Sequence, residues 1–539
     1  MKSGIAKSGI AKSGIAAALA AAGLSVTLGA ADVRAETLRF AFQGPLNSLD
    51  PYTLNETFTL GLLGNVYEGL TRRGANLEIL PALAERWEVA GPNRWRFYLR
   101  QGVTFQNGND FTAEDVVFSA TRVRDEGSDL KSRLPADVKV EAVDDYTVDF
   151  VTEGPNPILY YEWDTWYIMD KDWAEQHGAV KPTTAADLTK GHAAFNANGT
   201  GAFVVDSHEP GVKTILKPNA DWWDSPQHNL TEVIFTPIAS NATRVAALLS
   251  GEIDFMYPVP TQDIARVDGG SGTAVLAGPE LRTIFLGMDQ LREELLYSDV
   301  KGKNPFKDKR VRQAFYHAID IEAIGQKVMR GLSTPSAIMI SPFLFAHAEA
   351  FERLEHDPGR ARQLLEEAGY GEGFEVGMDC PNDRYVNDEA ICQAVSAMLA
   401  KIGVEVKLNA QPKALYFAKV LAAGGYDTSF YLLGWTPGSF DSWNVLHNLH
   451  GCRNEAGEGG PFNLGGYCNA EVDALTAQIL VETDADKRND LIRQAYALTT
   501  GDTAYIPLHQ QGLAWGVREG TNVVQRADNQ VMLYRITKD

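Results

Sequence analysis

LGWTPGSFDSWNVLHNLH, residues 433–450, decides how the rest of the chain is read. The apolar run before it, Phe430-Tyr431-Leu432-Leu433, has the length and aromatic content of a buried strand. That strand runs into Gly434, where the missing Cβ lets another backbone come close. A turn of small residues follows (Pro437, Gly438, Ser439), set between Trp435 and Trp443, with Thr436 and a single carboxylate, Asp441, among them. Indoles beside a strand end offer flat apolar walls with a polar edge, a common lining for a small-molecule cleft. The plainer alternative is an aromatic core beneath a loop.

Working outward, strands and helices alternate on both sides, which predicts an α/β class. Upstream, Phe374 to Met378 and Val404 to Leu408 read as strands, with helices over Glu389 to Lys401 and around Ala414 to Leu421. Asp357-Pro358 opens a helix with proline at its first position, and Gly369 stops it. Arg310 to Ala318 places Val311, Ala314, Phe315 and Ala318 on one face, and Asp320 can cap the next helix. Leu281 to Met288 is a strand. Near the start, Thr37 to Phe42 alternates like a strand, and a helical segment is expected over Phe58 to Leu70. Thr112 with Asp115 forms a cap for a helix over Ala113 to Arg124. Downstream, Ala485 to Leu498 is a helix and Tyr505 to His509 a strand.

The first 35 residues stand apart from the fold. Lys2, Lys7 and Lys12 precede an apolar Ala-rich run, and Val33-Arg34-Ala35 offers a small-x-small cleavage site, so residues 1–35 are expected to be a secretory signal peptide cleaved after Ala35. No later apolar run reaches the length needed to span a bilayer, so the expectation is an exported, soluble, periplasmic protein. The formal net charge is −21 over 539 residues, and the basic leader makes the remainder more acidic still. That balance favours solubility and argues against nucleic acid or anionic membrane surfaces as partners. Export permits disulfides. Four cysteines allow three pairings, of which the local ones, Cys380 with Cys392 and Cys452 with Cys468, are the parsimonious choice.

The short motifs of zinc proteases, P-loops, dinucleotide folds and nucleophile elbows are absent. No catalytic residue, cofactor or metal is therefore expected, although a hydrolase could still assemble a site from scattered acids. The one metal-like cluster is His447, His450 and Cys452. It competes with a disulfide for the thiol. Arg384 lies in the loop Pro381-Asn382-Asp383-Arg384-Tyr385 directly after a strand, where a guanidinium can grip a carboxylate with two prongs. A salt bridge to Asp383, Asp388 or Glu389 is the alternative use for it.

Three segments resemble the dipeptide/oligopeptide family (family 5) of ABC-transporter extracytoplasmic solute-binding proteins. They are Phe306-Lys307-Asp308-Lys309-Arg310-Val311-Arg312-Gln313-Ala314 with Ala318-Ile319-Asp320, the segment Asp115-Val116-Val117-Phe118-Ser119, and the Gly434-Trp435 turn. The resemblance implies two lobes joined by a hinge, a ligand enclosed between them, and delivery to a membrane permease by a monomeric receptor. Fitted to the strands above, it gives a first lobe of residues 36–285 and 505–539, with 86–199 as an inserted subdomain, and a second lobe of 286–504. It also implies that Gly434 and Trp435 meet the backbone of a peptide or peptide-like solute, that Arg384 holds its carboxylate, and that Cys452 and Cys468 match the relatives' cysteine pair. Thr57, Phe58, Thr436, Asp441 and Trp443 complete the expected lining. The sequence departs from the pattern at Gly438, where such relatives carry the aspartate that holds the peptide's amino group. Asp441 is then either its surrogate or a structural aspartate. A nickel- or haem-type carrier using His447 and His450 is the competing reading on the same fold.

Overall fold

Two long strands, Thr273–Met288 and Ile506–Arg518, pair antiparallel from Thr273 opposite Arg518 to Leu286 opposite Ile506 and form the middle of an 11-stranded sheet. The computed structural model describes residues 36–184, 190–421, 424–454 and 459–539, for Ala414 the backbone alone, and the expected leader over 1–35 lies outside them. On one side of the long pair lie Phe255–Tyr257, Glu36–Phe42, Leu230–Pro237, Lys213–Pro218 and Phe203–Glu209 in that order. On the other lie Phe430–Trp435, Phe374–Pro381 and Val404–Gln411, while Ser333–Pro335 joins Ile506–Arg518 off this path.

Each flank has a parallel core. Glu36–Phe42 runs parallel to both Leu230–Pro237 and Phe255–Tyr257. Phe374–Pro381 runs parallel to both Val404–Gln411 and Phe430–Trp435. Parallel neighbours need crossover connections, and helices supply them. Asn241–Ser250 links the first set, ending in left-handed Gly251 (φ 80°), and Asp388–Ala400 and Lys413–Val420 link the second. The antiparallel pair that joins the flanks has register breaks between Pro279 and Thr283 and between Ile284 and Phe285.

Strand periodicity sorts the core. Ile284, Leu286 and Met288 pack with Phe306, Phe315 and Phe430 on one face of the sheet, and Phe285 packs with Tyr431, Leu433 and Tyr496 on the other. A third apolar body gathers Phe40, Tyr67, Phe97, Trp163 and Trp166. It includes the four-stranded antiparallel sheet Ala84–Gly91, Arg94–Leu99, Thr147–Val151 and Lys139–Asp144. The helix Ala113–Val123 begins as expected, with the Asp115 carboxylate accepting the Thr112 backbone N–H at 2.9 Å.

Some elements differ from the sequence reading. The helix expected over 58–70 stops at Leu63, because Gly64 caps it and the chain turns. The strand expected over 505–509 continues to Arg518, and the strand expected over 281–288 begins at Thr273. The first of these extensions is buried at every residue except Arg518, so it has no polar alternation to mark it. The helix Ala470–Val481 was not anticipated, although Val472, Leu475, Thr476 and Ile479 form its buried stripe. Both local disulfides are present, Cys380–Cys392 (1.98 Å) and Cys452–Cys468 (2.03 Å).

Candidate functional site

The strand Phe430–Trp435 has Thr273–Met288 on one side, with Gly434 opposite Ile284 and Trp435 opposite Thr283. On its other side Phe374–Pro381 accompanies it only at Phe430 and Tyr431. Beyond Tyr431 that edge meets side chains: the Tyr416 hydroxyl donates to the Leu432 carbonyl (2.7 Å) and the Tyr385 hydroxyl, more weakly, to the Gly434 carbonyl (3.4 Å). Gly434 is required locally. A Cβ there would stand 2.8 Å from the Ile284 Cδ1 and 2.8 Å from the Tyr385 ring. The close approach foreseen at this glycine is thus made by a tyrosine ring.

Tyr385 is also where the cations collect. The Arg384 guanidinium lies 5.3 Å from its ring centroid and the Arg282 guanidinium 5.8 Å. Arg282 is paired with Glu280 (3.3 Å), whose other oxygen accepts the Gln511 side-chain N–H at 2.5 Å. Arg384 differs. Among the described residues its guanidinium has no hydrogen-bond or ion-pair partner. Asp388 accepts the Arg384 backbone N–H (2.9 Å), Asp383 accepts the Lys413 N–H (2.6 Å), and Glu389 accepts from Gln393 (3.0 Å). The local salt bridges that could have consumed Arg384 are therefore not formed. Its surface is solvent-accessible, yet desolvation by surrounding protein, and then the like charge of Arg282, draw it below the usual arginine range. The charge of Glu56, which caps the helix Thr57–Leu63, acts on Arg384 with the opposite sign.

The turn after the strand is built tightly. Trp435 donates its indole N–H to the Asn444 side chain (3.0 Å) and packs on Phe462 (4.8 Å). Trp443 stacks on His447 at 4.7 Å and 9°. Thr436 Oγ1 is buried without a partner among the described residues. Asp441 caps the short helix Ser442–Val445 by accepting the Trp443 N–H (2.8 Å), and its two oxygens take the two prongs of Arg488 at 2.8 and 2.7 Å. That geometry is structural. Gly438 is exposed, and a Cβ on it would sit 2.8 Å from Oε1 of Glu162, a residue from the distant 86–199 segment. Close by, the Arg73 guanidinium lies 4.8 Å over the Phe440 ring.

One expected lining residue and the histidines of the competing reading have other contacts in the structure. Phe58 is 2 % exposed and stacked on Phe42 at 4.1 Å, so its ring belongs to the core, while Thr57 beside it is half-buried. The histidine cluster is also committed elsewhere. Cys452 is in a disulfide, and His450 is buried, with its Nδ1 at 3.5 Å from the Val445 carbonyl and its pKa pushed down to about 4 by desolvation. Among the described residues no group of three or more His, Cys, Asp or Glu side chains could hold a metal ion. A cavity of about 460 Å³, lined by Tyr316, Met339, Tyr496 and Tyr505 among others, lies apart from Arg384 and the 434–441 turn. Sequence reasoning missed the roles of Arg282, Tyr385, Glu56 and Glu162, which come from four separate segments.

The fold and this site define a solute-binding protein. The model of the bacterial extracellular solute-binding proteins, family 5 (middle), matches residues 78–457, and the chain belongs to that family. The glutathione-binding protein GsiB of Escherichia coli (strain K12) is 26% identical over 468 residues, 86% of each chain. HbpA2 from Haemophilus parasuis superposes with a TM-score of 0.78 at 25% identity, covering 94% of this chain and 100% of that one. The periplasmic binding protein DppA from Helicobacter pylori, in complex with peptide STSA, gives 0.73 at 24% identity, covering 94% and 98%. The expected two-lobed α/β binding-protein fold is the fold of this chain.

Proposed function

We propose that the chain is the periplasmic receptor of an ABC importer. It encloses a peptide or peptide-like solute by its carboxylate and hands it, unchanged, to the membrane permease. The observation that carries this reading is Arg384, a guanidinium without an anionic partner among the described residues and near a second guanidinium, Arg282, beside the strand that ends in Gly434-Trp435. A guanidinium disfavoured by burial and by a like charge nearby is stabilised by an arriving anion, and a planar fork suits a carboxylate. Glutathione, the solute in the name of the E. coli relative, is a carboxylated peptide and fits this class. Lobes of 36–285 with 505–539 and of 286–504 meet where the long strand pair has its register breaks, a suitable place for a hinge. Export with cleavage after Ala35 and action as a monomer complete the proposal.

Calorimetric titration with di- and tripeptides, each as free acid and as C-terminal amide, tests it. The amides should bind at least about tenfold more weakly, since a charge-assisted contact is lost. Equal affinities across such pairs would remove the carboxylate from the reading. A ligand cleaved on prolonged incubation would point to a hydrolase instead.

A further inference from the structure

Gly438 leaves a gap in the chemistry of the turn, and a different part of the chain reaches into it. Asp441 is the nearest carboxylate in sequence, but both its oxygens are engaged by Arg488 in a pair whose side chains are 9% and 12% exposed. Position 438 itself has no side chain. The atom standing where one would begin is Oε1 of Glu162, 2.8 Å from the Cβ position, with the carboxylate carbon at 3.3 Å.

The two oxygens of Glu162 are not equivalent. Oε2 takes the ion pair with Arg133, whose guanidinium also donates to Asn55 Oδ1 (2.9 Å) and Thr165 Oγ1 (3.1 Å). Arg133 thereby fixes the carboxylate, sharing its own charge over three acceptors. Oε1, turned toward Gly438, has no hydrogen-bond donor among the described residues. An ionised carboxylate offers about four lone-pair sites, enough to serve a second cation. The glycine is what makes room, since any Cβ would crowd Oε1.

We propose that Glu162 is the specificity-determining carboxylate of this receptor, receiving the ammonium group of an amino-bearing peptide-like solute across Gly438. This rests on the reading of the chain as a receptor for carboxylated peptides and adds the second recognition point. The amine is then held by the segment 86–199 and the carboxylate by Arg384, so a ligand with both groups ties together two distant parts of the chain.

The test is titration of the full chain with a library of unblocked di- and tripeptides that includes reduced glutathione, each paired with its N-acetylated counterpart. Glu162→Gln should weaken unblocked ligands by about 10- to 150-fold, the range for one hydrogen bond to a charged group, and leave the acetylated ones unchanged. Combining Gly438→Asp with Glu162→Ala, which clears the side chain that a Cβ at 438 would crowd, returns a carboxylate from the other side and should restore the preference for unblocked ligands. Equal weakening of both ligand sets would make Glu162 a latch between chain segments and overturn the proposal, as would no weakening of either. A wild type that discriminates free acids from amides while ignoring acetylation overturns this inference alone. A wild type that binds no member of the library overturns the receptor reading and this inference with it.

Discussion

Asp441→Asn separates the two roles an aspartate in this turn could have. The wild-type carboxylate receives both prongs of Arg488, at 2.8 and 2.7 Å, in a pair nearly closed to solvent, and caps the helix Ser442–Val445. Asparagine keeps the capping oxygen, so that part of the cost is small. It cannot balance Arg488, which also donates to the Ile479 carbonyl (2.9 Å) and so stays in place. Removing one member of a buried pair costs about 3–5 kcal/mol because the other is left uncompensated. The exposure of this pair is far below a third, so little of that is lost to solvent screening. Urea denaturation of the ligand-free protein should show the unfolding free energy falling by that amount, with a correspondingly lower midpoint. Titration at a temperature where the variant is still folded should show the ratio of affinities for unblocked and N-acetylated peptides unchanged. An unfolding midpoint equal to the wild type, together with collapsed affinity for unblocked peptides alone, would refute the reasoning and make Asp441 the amine anchor.

Arg384→Ala should weaken carboxylated ligands by about 2–5 kcal/mol, tens- to thousands-fold in Kd, with the fold intact because among the described residues Arg384 has no anion partner to abandon; an unchanged Kd in calorimetry would count against the site. Serine at both Cys452 and Cys468, which lie 16 residues apart, should lower stability by about 3 kcal/mol in the chain-entropy model, and non-reducing peptide mapping of the wild type should find only the 380–392 and 452–468 pairs. Glu68 is buried against Trp222, Trp223 and Thr200, and burial pushes its pKa from 4.5 up to about 7. The folded state therefore holds that proton more tightly than the unfolded state. Its contribution is complete below pH 4.5 and is lost as pH rises to about 7, a fall of about 3 kcal/mol. Glu68→Gln should flatten this part of the stability–pH curve; a slope identical to the wild type would refute the assignment.

Much of the fold was legible because its signals are local. Thr112 with Asp115, Asp320, and Asp357 before Pro358 each mark a helix start by a side chain that accepts a nearby N–H, and each does so in the structure. Strands with one wet face were also readable. The failures fall where the local signal is absent. Ile506–Arg518 is covered along nearly its whole length, so its polar residues Gln510 and Gln511 are buried, bonded to Thr283 and Glu280 on the partner strand. No alternation could reveal that. The two-lobed arrangement came from resemblance rather than periodicity, since one continuous sheet runs through both flanks.

The site divides on the same line. Arg384 was readable because a loop directly after a strand end is a position that function often uses, and the residues that might have neutralised it could be counted nearby. Arg282 was hidden in a stretch read only as a strand, and Glu162 in an aromatic run that looked like core. Each acquires meaning from a contact with a residue more than a hundred positions away: Arg282 through Tyr385, Glu162 through Gly438. A missing carboxylate at 438 reads in sequence as a lost function. In three dimensions the same glycine is the space beside which another carboxylate, that of Glu162, stands. Glu162→Ala combined with Gly438→Asp should keep more of the discrimination between unblocked and acetylated ligands than either change alone, because only the double change leaves one carboxylate at this place and no collision.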